Sequence, residues 1–179
     1  MDSKERQAKI IDASQKYYSS GTSPLSDAEF DALLEEERRE NPNSSLLCIG
    51  HGFDVSKTAG DKFPHKYGLV GSLPKCHDWK EYPKTLKDVK VCITLKLDGL
   101  SCVMYYRNGV MYQALTRGDG SIGIDITEKI HKIVPSYVSI DDKSFTGAVR
   151  GEIIMSFDKF EEYSANHEDA KNPRNTTAG

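Results

Sequence analysis

Three things are scarce in this sequence, and each scarcity closes off a class of protein. Basic charge is not in surplus: 24 Lys and Arg stand against 27 Asp and Glu, a formal net charge of −3. A domain that grips nucleic acid unaided carries a cationic excess to neutralise phosphates. Strong contact with DNA must therefore come from a local patch or from another polypeptide. Long apolar runs are missing, which argues against a membrane-spanning helix and a membrane partner. The opening residues Met1-Asp2-Ser3-Lys4-Glu5-Arg6 lead into no apolar stretch of the kind a secretory signal needs. The four cysteines, Cys48, Cys76, Cys92 and Cys102, form no Cys-x-x-Cys pair, which argues against a zinc ribbon. They read as reduced thiols of a cytoplasmic protein. There is no internal repeat and no low-complexity tract.

What remains is ordinary globular material. With 28% charged and 37% apolar residues in 179 positions, the chain suffices for one compact domain with a modest core and a small appendage. The first forty residues read as two helices. Ile10, Ile11, Ala13 and Tyr17 give the first a rough apolar face, and the stretch from Ser19 to Pro24 breaks it. Ser26 with Glu29 forms a capping box, followed by Phe30, Leu33 and Leu34 at helical spacing; this second helix ends near Asn41-Pro42-Asn43.

From Ser44 to about Lys75 the signal is mostly loop. Residues 91–106 are rich in β-branched and aromatic types and predict a strand. Arg107-Asn108-Gly109 supplies a turn and residues 110–116 a second strand, because Asn-Gly between two such runs signals a hairpin. A short helix over 125–133, a strand over 146–155 and a helix over 158–167 complete the pattern. The fold class is α+β: a small helical amino-terminal module, then a mixed domain with an antiparallel sheet.

Lys96-Leu97-Asp98-Gly99 places a lysine at the end of a predicted strand with a carboxylate two residues on, facing the same side. The glycine permits a backbone path that keeps such a site open. A lysine that attacks phosphorus forms a phosphoramidate, and the leaving group needs cations. The motif is short and arises by chance, so its surroundings carry the argument. Arg117 follows the second hairpin strand in Thr116-Arg117-Gly118-Asp119-Gly120, placed to reach a phosphate from a glycine-lined loop. Val149-Arg150-Gly151-Glu152 offers a carboxylate on a third strand, suited to a ribose hydroxyl or a metal. Asn172-Pro173-Arg174-Asn175 adds another arginine. Asp27 and Asp31 share one helical face, with Tyr17 and Tyr18 on the preceding helix; acids near a helix start also favour its dipole, and tyrosines also fill small cores.

Gly118-x-Gly120-x-x-Gly123 formally matches a dinucleotide-binding fingerprint. The strand before it closes a hairpin, whereas that fingerprint opens a parallel βαβ unit, so a dehydrogenase is the least favoured reading.

Together these pieces resemble the NAD⁺-dependent DNA ligases of bacteria and some viruses. Lys96-Leu97-Asp98-Gly99-Leu100 looks like that family's nucleotidyl motif. Arg-Asn-Gly-Val, Thr-Arg-Gly-Asp-Gly, Val-Arg-Gly-Glu and Asn-Pro-Arg-Asn follow in the family's order. Asp27-Ala28-Glu29-Phe30-Asp31 resembles the signature of its helical module, which binds the nicotinamide mononucleotide half of NAD⁺. The resemblance implies that residues 1–60 are that module with its linker and 61–179 the amino-terminal part of the adenylation domain. It implies catalytic roles for Lys96 and Asp98, with Glu152 on the ribose and in the metal-assisted transfer. Arg117 and Arg174 would contact phosphate or ribose, Ser72 and Leu73 would line the adenine pocket with His65 near, and Tyr17, Tyr18, Asp27 and Asp31 would hold the nicotinamide half. Thr94 stands where the family usually reads adenine with glutamate, Tyr18 where it has histidine, and Phe30 where it has tyrosine. NAD⁺ and Mg²⁺ are the implied cofactors and nicked DNA the eventual acceptor. The family's domain continues into a further strand and two lysines, then DNA-clamping modules. A second ligase subunit supplying them is the expected partner, and a truncated, non-catalytic nucleotide- or partner-binding fragment is the alternative.

Overall fold

Ser23-Pro24 cannot continue a helix, and the chain accordingly forms two, α1 (Ser3–Ser20) and α2 (Asp27–Glu40). The computed structural model describes residues 1–20, 22–48, 51, 55–72, 89–170 and 172–178. The capping box is formed as read: Ser26 Oγ accepts from the Glu29 amide at 3.3 Å, and the Glu29 carboxylate accepts from the Ser26 amide at 2.8 Å. The face that α1 buries is not the one its apolar residues suggest. Ile10 and Ala13 are buried but Ile11 is exposed, and Arg6 completes the stripe one turn earlier. Arg6 donates to the buried Glu37 carboxylate at 2.9 and 3.0 Å and lies 2.7 Å from Glu40. A charge at a core position is tolerated only when it is paired in this way.

The sheet domain is built on β2 (Leu100–Arg107), which pairs antiparallel with β3 (Val110–Thr116) on one side and β5 (Gly147–Ile153) on the other. Asn108 and Gly109 both take positive φ, 52° and 73°. That is the two-residue turn whose twist suits a hairpin. Tyr105 faces Gln113 and Tyr106 faces Met111, so Tyr112 is the extra residue of a bulge. Both faces of β2 are covered. Cys102, Met104 and Tyr106 pack with Met111, Ala114, Ile126 and Ile130, the last carried on α3 (Thr127–Ile133). Val103 and Tyr105 pack with Leu115 and Val70 on the opposite face.

A second, two-stranded sheet joins β1 (Lys62–Pro64) to β4 (Ile122–Ile124). At three residues each, neither strand was legible in the sequence. The helices α4 (Phe157–Ser164) and α5 (Pro173–Ala178) follow β5, and α5 packs against α4 and β2. All strand pairings among the described residues are antiparallel, so the dinucleotide fingerprint has no parallel βαβ unit to serve. No described helix is long and apolar enough to cross a membrane.

One expected element differs. The strand read over 91–106 begins only at Leu100; residues 89–98 pair with no strand among the described residues. Val89, Val91, Ile93, Leu95 and Leu97 are all exposed, Ile93 at 91% and Leu95 at 85%. The alternation is strand-like, but a strand needs a hydrogen-bonded neighbour, and the segment lacks one here. Cys92, which falls in that expected strand, is exposed and outside it, whereas Cys102 lies within β2 and is buried.

Candidate active site

Lys96 and Thr94 lie on the exposed extended segment that leads into β2, and not at the end of a paired strand. The anchor of this segment is Gly99. A Cβ there would stand 2.1 Å from the Ile153 carbonyl oxygen, so the glycine is required for close approach of two backbones, more than for an unusual φ. Its amide donates to Glu152 Oε1 at 3.1 Å, and Ser101 Oγ donates to Glu152 Oε2 at 2.7 Å. The carboxylate nominated for ribose or metal thus holds the turn that carries Asp98. It also adds to burial in raising the pKa of the neighbouring Cys102 thiol, so this thiol stays protonated within the sheet.

Arg117 is held by its main chain. Its amide donates to the Ser101 carbonyl at 3.1 Å, and its carbonyl accepts from the Gly120 amide at 3.0 Å. Gly118 and Gly120 take φ of 58° and 92°, and a Cβ on Gly118 would meet the Ile122 oxygen at 1.7 Å. Asp119 Oδ1 then accepts the amides of Ser121 and Ile122, both at 2.8 Å. The loop is a tight backbone knot that presents one arginine.

Both arginines meet the helical module. Arg174, on the first turn of α5, lies 3.4 Å from Asp98 and sets its guanidinium 5.0 Å from the centre of the Tyr17 ring. Burial lowers the pKa of this guanidinium from its ordinary value. Arg117 donates to the Tyr18 hydroxyl at 3.5 Å, a long contact. Tyr17 and Tyr18 stand edge to face at 5.5 Å. A continuous run Asp98–Arg174–Tyr17–Tyr18–Arg117 therefore joins the lysine motif, both nominated arginines and both module tyrosines.

Asp27 is exposed and Asp31 half-buried on the first two turns of α2. Ser72 is exposed, and Leu73 and Cys76 lie outside the described residues. Among the described residues no group of three or more His, Cys, Asp or Glu side chains is placed to hold a metal ion. A magnesium ion here would depend on phosphate oxygens as well as on Asp98 or Glu152.

Two further side chains, Arg150 and His65, tie loops of the site to the sheet domain through backbone carbonyls. Arg150 donates to the Gly71 carbonyl at 2.7 Å, tying the loop before Ser72 to β5. Strand alternation puts Arg150 on the same face as Glu152, which was the available signal. His65 lies under Arg117, with Nε2 3.1 Å from the Arg117 carbonyl oxygen; nothing local in the sequence marks that contact.

Residues 75–179 match the model of the NAD-dependent DNA ligase adenylation domain. A DNA ligase of Leptospira interrogans is 33% identical over 175 residues, covering 91% of this chain and 25% of the relative. DNA ligases of Bacteroides fragilis and Fusobacterium nucleatum are 31% and 32% identical, again over 91% of this chain, and over 27% and 26% of their own lengths. The chain thus spans about a quarter of the length of the curated relatives it matches. With more than half of its residues inside the adenylation-domain match, it belongs to the NAD-dependent DNA ligase family.

Proposed function

We propose that this chain performs the nucleotide-activating step of an NAD⁺-dependent DNA ligase. Lys96 Nζ, once deprotonated, attacks the adenylate phosphorus of NAD⁺. A P–N bond forms, the P–O bond to nicotinamide mononucleotide breaks, and the mononucleotide leaves with the electron pair. The adenylate is later passed to the 5′-phosphate of nicked DNA. Asp98 and Glu152 orient the lysine turn and the ribose, Arg117 and Arg174 bind phosphate or ribose oxygens, Ser72, Leu73 and Thr94 line the adenine side, and Tyr17, Tyr18, Asp27 and Asp31 receive the nicotinamide half. Magnesium would offset charge on the phosphates. In this reading residues 1–60 form the nicotinamide module and linker, and 61–179 the adenylation portion.

The observation that carries the reading is the run from Asp98 through Arg174, Tyr17 and Tyr18 to Arg117. It sets the tyrosines of a separate helical pair against the arginines beside the lysine motif, as a donor with two nucleotide halves requires. The exposed row from Val89 to Leu97 supports a second element of the proposal: a further β-strand, from additional polypeptide or a second subunit, covers the lysine segment in the working enzyme.

The test is direct. The chain, alone and with the rest of a ligase supplied in trans, is incubated with NAD⁺ and Mg²⁺ and mapped by peptide mass spectrometry. Adenylate on Lys96, absent in Lys96→Ala, together with sealing of nicked DNA only by the completed assembly, is the expected result. No adenylate on Lys96 in the completed assembly overturns the proposal and favours a non-catalytic binding fragment.

A further inference from the structure

His65 lies outside the lysine motif and both arginine motifs, yet both of its ring nitrogens make specific contacts, one of them to the main chain of Arg117. Its Nε2 stands 3.1 Å from the Arg117 carbonyl oxygen and its Nδ1 2.7 Å from the Tyr105 hydroxyl. A carbonyl can only accept, so Nε2 carries a proton, and in the neutral imidazole Nδ1 is then the acceptor. The Tyr105 hydroxyl then donates to Nδ1 and accepts from the Lys66 amide at 3.4 Å. Burial raises the pKa of the Tyr105 phenol above its ordinary value, so this donor keeps its proton.

The result is a directed relay from the floor of the sheet, through an imidazole, to the backbone of the arginine. The surroundings fit it closely. The His65 amide donates to the Ser121 carbonyl and the Val70 amide to the Gly120 carbonyl, each at 2.8 Å. A Cβ on Gly123 would stand 3.1 Å from Nε2 and 2.2 Å from the Thr116 oxygen, so glycine there leaves the ring its space. Both lone pairs of the Arg117 carbonyl are used, by Gly120 and by His65.

We propose that His65 is a positioning residue for Arg117, fixing the arginine loop through the Arg117 carbonyl so that its guanidinium is set in advance for an NAD⁺ phosphate. This rests on the nucleotide reading of the site given above. His65 touches no substrate in this scheme; it acts through Arg117 alone.

The experiment is a double-mutant cycle on NAD⁺ affinity, measured by calorimetry in EDTA to hold back transfer, with His65→Ala, Arg117→Ala and the double variant. His65→Ala is expected to weaken NAD⁺ binding about tenfold in the wild-type background and to have no further effect in Arg117→Ala. His65→Gln, which keeps a donor near the Nε2 position, restores most of the affinity. Nitrogen NMR of the imidazole reports the Nε2–H tautomer. Equal weakening by His65→Ala in both backgrounds, or an unchanged affinity, overturns the proposal while leaving the nucleotide reading intact. Failure of Lys96 to accept adenylate with the cycle as expected overturns the transfer reading alone, and a wild-type chain that binds no NAD⁺ overturns both.

Discussion

Two adjoining stretches of this chain carry nearly the same pattern and meet opposite fates. Residues 89–97 place an aliphatic side chain at every odd position, and all five are exposed. Residues 102–106 of β2 are buried without a break. Composition does not separate them, since both are strand-like. Their neighbours do: β2 is bonded by β3 and β5 and covered on both faces, whereas the preceding segment has no partner among the described residues. β-Propensity is a fitness for a half-buried surface, and it becomes a strand only where that surface exists. The boundary falls at Gly99, so Lys96 stands on the uncovered side, while Glu152 on β5 accepts from the Gly99 amide at the boundary itself.

Substitutions can break this contrast. Leu115→Ala, at a fully buried position of β3 opposite Val103, should cost about 2–5 kcal/mol in denaturant unfolding, the largest effect expected. Gly99→Ala comes next. Its methyl would press on the Ile153 carbonyl and force β2 from β5 at their junction, costing roughly 1–3 kcal/mol, with protection from amide exchange lost first at Gly99 and Ser101. A Gly99→Ala variant as stable as the wild type would refute the close-approach account. Glu152→Ala leaves the Gly99 amide and Ser101 hydroxyl without their acceptor, worth about 1 kcal/mol, and it should reduce Lys96 adenylation far more than it reduces stability.

The smallest effect sharpens the comparison most. Ile93→Ser should change stability by less than about 0.5 kcal/mol in the isolated chain. Adding the polypeptide that covers the row should raise the cost above about 1 kcal/mol. A large cost in the isolated chain would mean that residues 89–97 are already packed.

Much of the fold was legible because its signals are local. Ser26 and Glu29 announced the start of α2, and Asn108-Gly109 announced the hairpin, since each depends on residues within a few positions. Strands β1 and β4 were missed because three-residue strands offer no periodicity to read. The paired charge of Arg6 was missed because its partners Glu37 and Glu40 stand far along the chain on α2. The candidate site divides in the same way. Lys96, Asp98, Arg117, Glu152 and Arg174 were marked by motifs, whereas His65 and Arg150 act on the Arg117 and Gly71 carbonyls, backbone groups that carry no residue identity to recognise.

The sequence by itself determined the elements that local chemistry enforces: two helices, the second with its capping box, a tight hairpin, a glycine-lined arginine loop, and the spacing of lysine, arginine and carboxylate motifs that places the chain in its family. Tertiary structure alone decided which strand-like residues became a strand, which face of α1 was buried, and that two tyrosines of the helical pair would meet two arginines of the sheet domain. The physical reason is range. Caps and turns are satisfied within one turn of chain, but a strand, a buried charge or a shared carbonyl is satisfied only by a partner that folding brings from far along the sequence.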